Sequence, residues 1–215
     1  MNAMLSTTIP LPAILDQSAF AGRGRRHRIE NYCLAPPDVE RFNNLLQRLG
    51  RRQPPLDRDQ IVSAARELCD CNILPIEAPS IHERMRRVET AVRMVDDAGW
   101  EAVNEAVDAA RLVIDYTQGS DDLIPDWVPK VGRLDDAIVI DAAWPRLADE
   151  IESYLDFCRL RDVEAGLRDC CASTLRFNRA DWEQLRREEA ALAAHQRDVR
   201  EHSYLPGAAP MFRVH

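Results

Sequence analysis

The chain is poor in the residues that favour β-structure. Among its 215 residues there are only 5 Thr and 13 aromatic residues, against 27 Ala and 21 Leu. Ala and Leu are strong helix formers, whereas β-branched and aromatic residues dominate strands. The composition therefore argues against a β-rich architecture and predicts an all-α fold, a compact bundle of about seven helices.

Long apolar runs and a secretory leader are also missing. No stretch reaches the ~18 uninterrupted apolar residues of a membrane helix, and the N-terminus, with Pro10 and Pro12, lacks a leading basic cluster. The chain has 28 basic and 36 acidic residues, a net charge of −8. This balance argues against nucleic acid as a partner and predicts a soluble, cytoplasmic protein.

The chain lacks the common catalytic motifs. It contains no Gly-rich phosphate loop, no Gly-x-Ser-x-Gly elbow and no His-Glu-x-x-His sequence. Its six cysteines lack the spacing of a zinc knuckle, so we expect reduced thiols, with Cys158 and one of Cys170 or Cys171 packed in the core. These absences favour a non-catalytic protein without a cofactor.

Periodicity divides the chain into three parts. Residues 1–35 show no helical pattern and are predicted to form a mobile arm, residues 36–203 a single helical domain, and residues 204–215 a tail. The arm carries a basic cluster in an otherwise acidic protein. The cluster consists of Arg23, Arg25, Arg26 and Arg28. It is either a solvated tail or a contact for an acidic partner or an anionic surface.

Within the domain, apolar residues recur at steps of three and four, as on one face of a helix. The pattern predicts helices from Pro37 to Gly50, from about Asp57 to Cys69, from Ile81 to Gly99, from Trp100 to Gly119, from about Val163 to Leu175, and from Asn178 to about His202. The sequence Ser80-Ile81-His82-Glu83 is typical of a capping box at a helix start.

The last of these helices is highly charged. Its apolar positions, Trp182, Leu185, Leu192 and Val199, form a thin stripe interrupted by polar residues. A stripe of this kind predicts a helix that lies on the surface or pairs with something outside the monomer. Trp182 is therefore a candidate interaction residue.

Residues 120–136 combine two prolines four apart, one glycine and five carboxylates. Proline and glycine exclude an ordinary helix here, so we expect a compact, proline-broken turn between two helices. The residues that stand out are Asp122, Pro125, Asp126, Pro129, Gly132, Asp135 and Asp136.

These residues, with Leu123, Ile124 and Leu134 between them, resemble the signature of the YkvA-like proteins, a mostly bacterial family of unknown function. The resemblance covers about residues 116–155, within a motif segment that we place at about 116–160. Many members follow the Asp-Asp pair with a long apolar stretch predicted to sit in or on a membrane. In this chain Asp141, Pro145 and Arg146 interrupt that stretch.

The motif has a structural interpretation. Asp135 and Asp136 fall in the first turn of a helix that begins near Leu134, where carboxylates accept free amides and favour the helix dipole. Asp122 is placed to accept backbone N–H groups of the turn that follows it, and Gly132 supplies a conformation that a side chain would forbid.

It also has a chemical interpretation, in which Asp122, Asp126, Asp135 and Asp136 converge on a hard divalent cation. Their spacing is not that of an EF-hand and no histidine lies nearby, so no metal is favoured. A metal-binding protein or metal-dependent hydrolase nevertheless remains an alternative function.

The leading hypothesis is a regulatory or scaffold protein that acts through a protein partner or as a homo-oligomer. Peripheral membrane contact through Leu123, Ile124, Trp127 and Val128 is a further alternative, because tryptophan suits an interface. A core position for Trp127 is favoured over an interfacial one.

Overall fold

The computed structural model describes residues 9–17, 27–71 and 77–202. Within these ranges it contains six helices and one short antiparallel ribbon, which confirms the all-α prediction. The helices are α1 (Pro36–Arg48), α2 (Arg58–Cys71), α3 (Pro79–Asp96), α4 (Asn104–Thr117), α5 (Leu134–Leu167) and α6 (Arg179–His202). The ribbon pairs β1 (Arg28–Ile29) with β2 (Tyr32–Cys33), and a single 3₁₀ turn spans Ala13–Asp16.

The predicted count of seven helices is one too high because α5 is continuous. Its 34 residues run through Pro145 and include the region around Val163 that was expected to begin a separate helix. A proline inside a helix removes one backbone hydrogen bond. Here Ala143 and Leu147, on either side of it, are fully buried, and burial of such side chains offsets that loss.

The chain divides into two compact units, residues 1–155 and 156–215. In the first unit, α3 packs against α4, and the first half of α5 supplies much of the core. Its fully buried residues include Leu134, Ala137, Val139 and Ile140. Every residue from 134 to 140 is buried, so the helix start that follows the motif is enclosed on all sides.

In the second unit, Phe157 of α5 stacks on Phe177 with ring centroids 5.3 Å apart. Cys158 is half-buried, whereas Cys170 and Cys171 are exposed. The prediction that one of the latter two lies in the core is wrong, because both follow the end of α5, in the connection to α6.

The described parts of the N-terminal stretch carry buried side chains. Leu15, Ile29 and Leu34 are all buried, and Gln60 of α2 donates from Nε2 to the backbone oxygens of Ile14 (3.2 Å) and Gln17 (2.6 Å). Within the basic cluster, Arg28 lies exposed in β1. Arg23, Arg25, Arg26 and the predicted tail at 204–215 lie outside the described residues.

The predicted capping box at Ser80 is wrong. Pro79 is already helical and Ala78 is the N-cap residue, so Ser80 lies inside the first turn with its side chain buried. Glu83 accepts instead the backbone N–H of Ile9 at 3.1 Å. Proline at the first helical position, rather than a side-chain cap, starts α3.

A capping box does occur at the start of α2, where it was not predicted. Asp57 Oδ1 accepts the backbone N–H of Gln60 at 2.7 Å, and Gln60 Oε1 accepts that of Asp57 at 2.9 Å. Each side chain thus satisfies one amide that the helix leaves free.

Candidate functional site

The motif forms a turn-rich loop at residues 118–133 that joins α4 to α5. Backbone hydrogen bonds between residues three and four apart stabilise its turns. They run from the N–H of Val128 to the oxygen of Pro125 (2.9 Å) and from the N–H of Gly132 to the oxygen of Val128 (2.9 Å). Leu123, Ile124 and Val128 are buried. The loop is therefore folded onto the first unit by its own apolar residues.

Asp135 holds this loop to the start of α5. Its side chain is 1% exposed, and its Oδ2 accepts three hydrogen bonds. The donors are the hydroxyl of Tyr116 (2.7 Å) and the backbone N–H groups of Leu123 (2.8 Å) and Ile124 (3.0 Å). One carboxylate thus connects α4, the loop and α5.

The role predicted for Asp122 therefore belongs to Asp135. The amides of Leu123 and Ile124 reach a carboxylate twelve and eleven residues further along the chain, respectively, not the one that precedes them. Tyr116, the third member of this cluster, was not predicted. A tyrosine in the last turn of α4 was the only sequence feature that could have indicated this hydrogen bond. It is ambiguous, because tyrosine also occurs as an ordinary core residue.

Asp136 lies beside Asp135 and is only 3% exposed. Its Oδ2 is 3.5 Å from Nε of Arg133, while its Oδ1 is buried without a hydrogen-bond partner among the described residues. The two carboxylates of the pair thus differ, since Asp135 is saturated with donors and Asp136 is not. An unsatisfied buried oxygen costs free energy when the group is ionised.

The pKa values of both carboxyl groups are raised. Burial raises the pKa of Asp135 to about 6, against the opposing effect of the donors from Tyr116 and Ile124. Burial, followed by the charge of Asp135, raises the pKa of Asp136 to about 8, with Arg133 opposing. Burial also raises the pKa of the Tyr116 hydroxyl, which accordingly stays protonated and donates.

Gly132 is required by space and not by an unusual dihedral angle. Gly132 does not have a positive φ, whereas Lys130, two residues earlier, has a φ of 67°. A Cβ built on Gly132 would lie 2.5 Å from the backbone oxygen of Asp126. Two segments of the loop therefore come close together at this point. The sequence predicted that Gly132 adopts a backbone conformation that other residues avoid, but glycine is needed here because there is no space for a side chain.

Gly132→Ala should therefore destabilise the chain by about 1–3 kcal/mol, because the atom that it meets is backbone and cannot turn aside. Chemical denaturation of the variant measures this. The matched control is Gly166→Ala in α5, where a Cβ meets nothing within 4 Å and alanine should stabilise the helix by about 0.5–1 kcal/mol. Equal effects at the two glycines would contradict the close approach.

The structure does not gather the four candidate aspartates into a metal site. Asp135 is occupied by the three donors named above, and Asp126 is exposed. Within the described ranges, no group of three or more His, Cys, Asp or Glu residues is arranged to hold a metal ion. Asp122 is half-buried, and burial followed by the charges of Asp126 and Asp121 raises its pKa.

The aromatic candidates lie in different environments. Trp127 is 68% exposed, so the preference for a core position is wrong: the buried residues Leu123, Ile124 and Val128 occupy the inner side of the loop. Because those three are buried, they are also not available for membrane contact. Trp182 is half-buried in the second unit, where its Nε1 donates to Asp156 at 2.7 Å.

A search of family models, curated proteins and solved structures finds no match to the chain. The resemblance to the YkvA-like proteins therefore depends on the motif residues alone. None of the helices in the described ranges has the length and the apolar character needed to cross a bilayer.

Proposed function

We propose that the protein is a non-catalytic regulatory or scaffold protein that acts through protein–protein interaction, with α6 as its binding element. The observation that carries this proposal is the exposure of α6. Every residue from 187 to 202, all of them described, is exposed although the segment is helical. In proteins most helical stability comes from packing of an apolar face, and α6 buries no side chain fully among the described residues.

The first turns of α6 are held within its own unit. Asn178 Oδ1 accepts the N–H of Asp181 (3.2 Å) and Asp181 Oδ2 accepts the N–H of Asn178 (2.9 Å), a reciprocal cap. The carboxylate of Asp156 accepts hydrogen bonds from Nε1 of Trp182 and from Nε of Arg186 (2.6 Å). Burial opposes ionisation of Asp156, but these donors outweigh it and lower its pKa to about 2. The N-terminal end of α6 is thus fixed, and Trp182 serves this unit.

The remaining part of the helix presents an apolar stripe. Leu185, Leu192 and Val199 recur at intervals of seven residues, and the last two are 57% and 50% exposed. A seven-residue repeat keeps one seam of a helix facing a partner helix as the two wind around each other. The stripe therefore fits another helix better than a flat surface.

The charges of α6 favour a second copy of the chain as that partner. The helix has five arginines against six acidic residues, so two copies do not repel strongly. In a parallel pair, Glu189 would face the Glu189 of the second copy within the seam, which is unfavourable. In an antiparallel pair Glu189 lies beside Leu192 of the second copy instead.

The antiparallel arrangement also places carboxylates beside imidazole groups, whose ring N–H can donate to them, along one edge of the seam. Glu188 comes to lie near His195 of the second copy, and Asp181 near His202 of the second copy. The contact is then isologous, as in most homodimers, because each copy presents the same surface.

We expect the chain to form a dimer that Leu192→Glu and Val199→Glu dissociate. Light scattering coupled to size-exclusion chromatography measures the mass directly. The matched control is Ala190→Glu, which adds the same charge about 200° around the helix from Leu192 and should leave the dimer intact. A monomeric wild-type chain at about 100 μM, or dissociation by all three variants alike, would overturn the proposal.

Crosslinking distinguishes the two orientations. With Cys introduced at Leu192, near the two-fold axis of an antiparallel pair, the two copies should crosslink through that position. With Cys at Val199 they should not, since the two sites would then be about 20 Å apart. A parallel dimer would crosslink at both. Peptide mapping assigns the linked residues, because the chain contains six native cysteines.

A further inference from the structure

The motif loop carries an exposed tryptophan, paired with a half-buried tyrosine of β2, and two carboxylates besides Asp121. Trp127 is 68% exposed and meets the ring of Tyr32 from β2 in a T-shaped contact, with centroids 6.3 Å apart and planes at 89°. Asp122 and Asp126 belong to the same loop. We call these four residues the Trp127 surface. Large aromatic side chains that remain exposed in this way are common at binding sites.

Negative charge surrounds this pair. Burial raises the pKa of the Tyr32 hydroxyl, and the charges of Asp38 and Asp122 are among the further causes. Asp38 is paired with Arg41 at 2.7 Å. Among the described residues, by contrast, no basic side chain forms an ion pair with Asp122 or Asp126. Asp122, which interacts electrostatically with Tyr32 and Asp126, and Asp126 thus have no ion-pair partner in the described part of the chain.

The backbone that carries the surface is packed and hydrogen-bonded. Asp126 is fixed by the close approach of Gly132 to its backbone, and Val128, directly after Trp127, is buried and bonded to the oxygen of Pro125. The N–H of Ala78 also donates to the oxygen of Lys130 at 3.2 Å. A preformed site loses little conformational entropy when it binds.

We infer that the Trp127 surface binds an arginine side chain from a basic segment of a partner protein. The guanidinium group stacks on the exposed indole face while its N–H groups donate to Asp122 and Asp126. Planar stacking together with bidentate donation to carboxylates is the combination that arginine offers and lysine does not. The carboxylates repel phosphate groups, which disfavours nucleic acid and anionic lipid as occupants. This contact is independent of α6.

The test uses the full-length protein and three synthetic peptides of equal length, in which the same three positions hold arginine, lysine or glutamine. Isothermal titration calorimetry at low salt should show binding of the arginine peptide, weaker binding of the lysine peptide and none of the glutamine peptide. Trp127→Ala should weaken the arginine complex at least about twofold, the least that loss of a cation–π contact implies. Asp122→Asn combined with Asp126→Asn should abolish most of the salt dependence.

The control is Asp149→Asn, which removes an exposed carboxylate from α5 and should leave affinity for the arginine peptide unchanged. Far-ultraviolet circular dichroism confirms that each variant remains folded. Equal binding of the arginine and glutamine peptides would overturn the inference, as would wild-type affinity in Trp127→Ala or no binding of the arginine peptide at about 1 mM. A lysine peptide that binds as tightly as the arginine peptide would contradict the stacking geometry.

Discussion

Replacement of Asp135 by alanine is expected to lower the free energy of unfolding by about 3–5 kcal/mol. The substitution removes the oxygen that accepts the Tyr116 hydroxyl and the backbone amides of Leu123 and Ile124. The Leu123 amide keeps the Tyr116 hydroxyl oxygen, 3.0 Å away, as a second acceptor, whereas no second acceptor is seen for the Ile124 amide among the described residues. Both amides are buried, and water cannot replace the lost acceptor without opening the loop. A loss of this size is a large part of the stability of a typical domain.

The matched variant is Asp135→Asn. Its amide oxygen can occupy the position of Oδ2 and continue to accept from the same donors. The strengthening effect of the negative charge is lost, but so is the cost of burying that charge, which raises the pKa of Asp135 to about 6. We expect a cost below about 1 kcal/mol, less than the cost of about 1–2 kcal/mol for Tyr116→Phe, which removes one donor to Asp135 and one acceptor of the Leu123 amide. Urea denaturation followed by near-ultraviolet circular dichroism measures all three. If the alanine and asparagine variants were equally stable, the role of Asp135 as acceptor for the loop would be excluded.

Several helix boundaries could be predicted from sequence because their signals are local. The apolar repeat that starts at Pro37 and stops at Gly50 corresponds to α1, Pro36–Arg48. The start of the last helix was predicted equally well, since Asn178 does cap it. Each of these predictions needs only a few neighbouring residues, and periodicity and capping are properties of neighbours.

The bonds of the candidate site could not be predicted in the same way. Asp122 precedes the turn and looks like its cap, yet Asp135 accepts the amides from more than ten residues away. The choice depends on where α5 starts relative to the loop, which is a tertiary relation. The exposure of Trp127 has the same origin, because three neighbouring apolar residues of the loop fill the inner side.

The continuity of α5 is a third case of this kind. Local rules place a helix end at Pro145, but the flanking residues of α5 are buried and hold the helical path. Burial on a shared core therefore outweighs a local break. Burial also makes the contribution of Asp136 to stability depend on pH.

Asp136→Asn is expected to stabilise the protein, and to do so increasingly as the pH rises. Burial and the neighbouring charge of Asp135 raise the pKa of Asp136 to about 8, above the ordinary value of an aspartate in the unfolded chain. The folded state therefore holds a proton that unfolding releases. Through linkage, the contribution of Asp136 to stability is complete below about pH 4 and is lost as the pH rises towards 8.

Asparagine does not titrate, so the variant does not lose this contribution. The difference in unfolding free energy between the variant and the wild type therefore grows as the pH rises. One pKa unit corresponds to about 1.4 kcal/mol, but Arg133 lies 3.5 Å away and local relaxation admits water. We therefore expect the variant to gain about 2–4 kcal/mol relative to wild type between pH 4 and pH 9. Urea denaturation at several pH values across this range measures the difference.

The control is again Asp149→Asn, since Asp149 lies on the same helix but is exposed. Its effect on stability should change by less than about 0.5 kcal/mol over the same range. A constant difference for Asp136→Asn would mean that Asp136 is ionised in the folded chain at all these pH values. Its buried Oδ1 would then need a partner that the described residues do not provide. A difference that shrinks as the pH rises would contradict the burial of the carboxyl group itself.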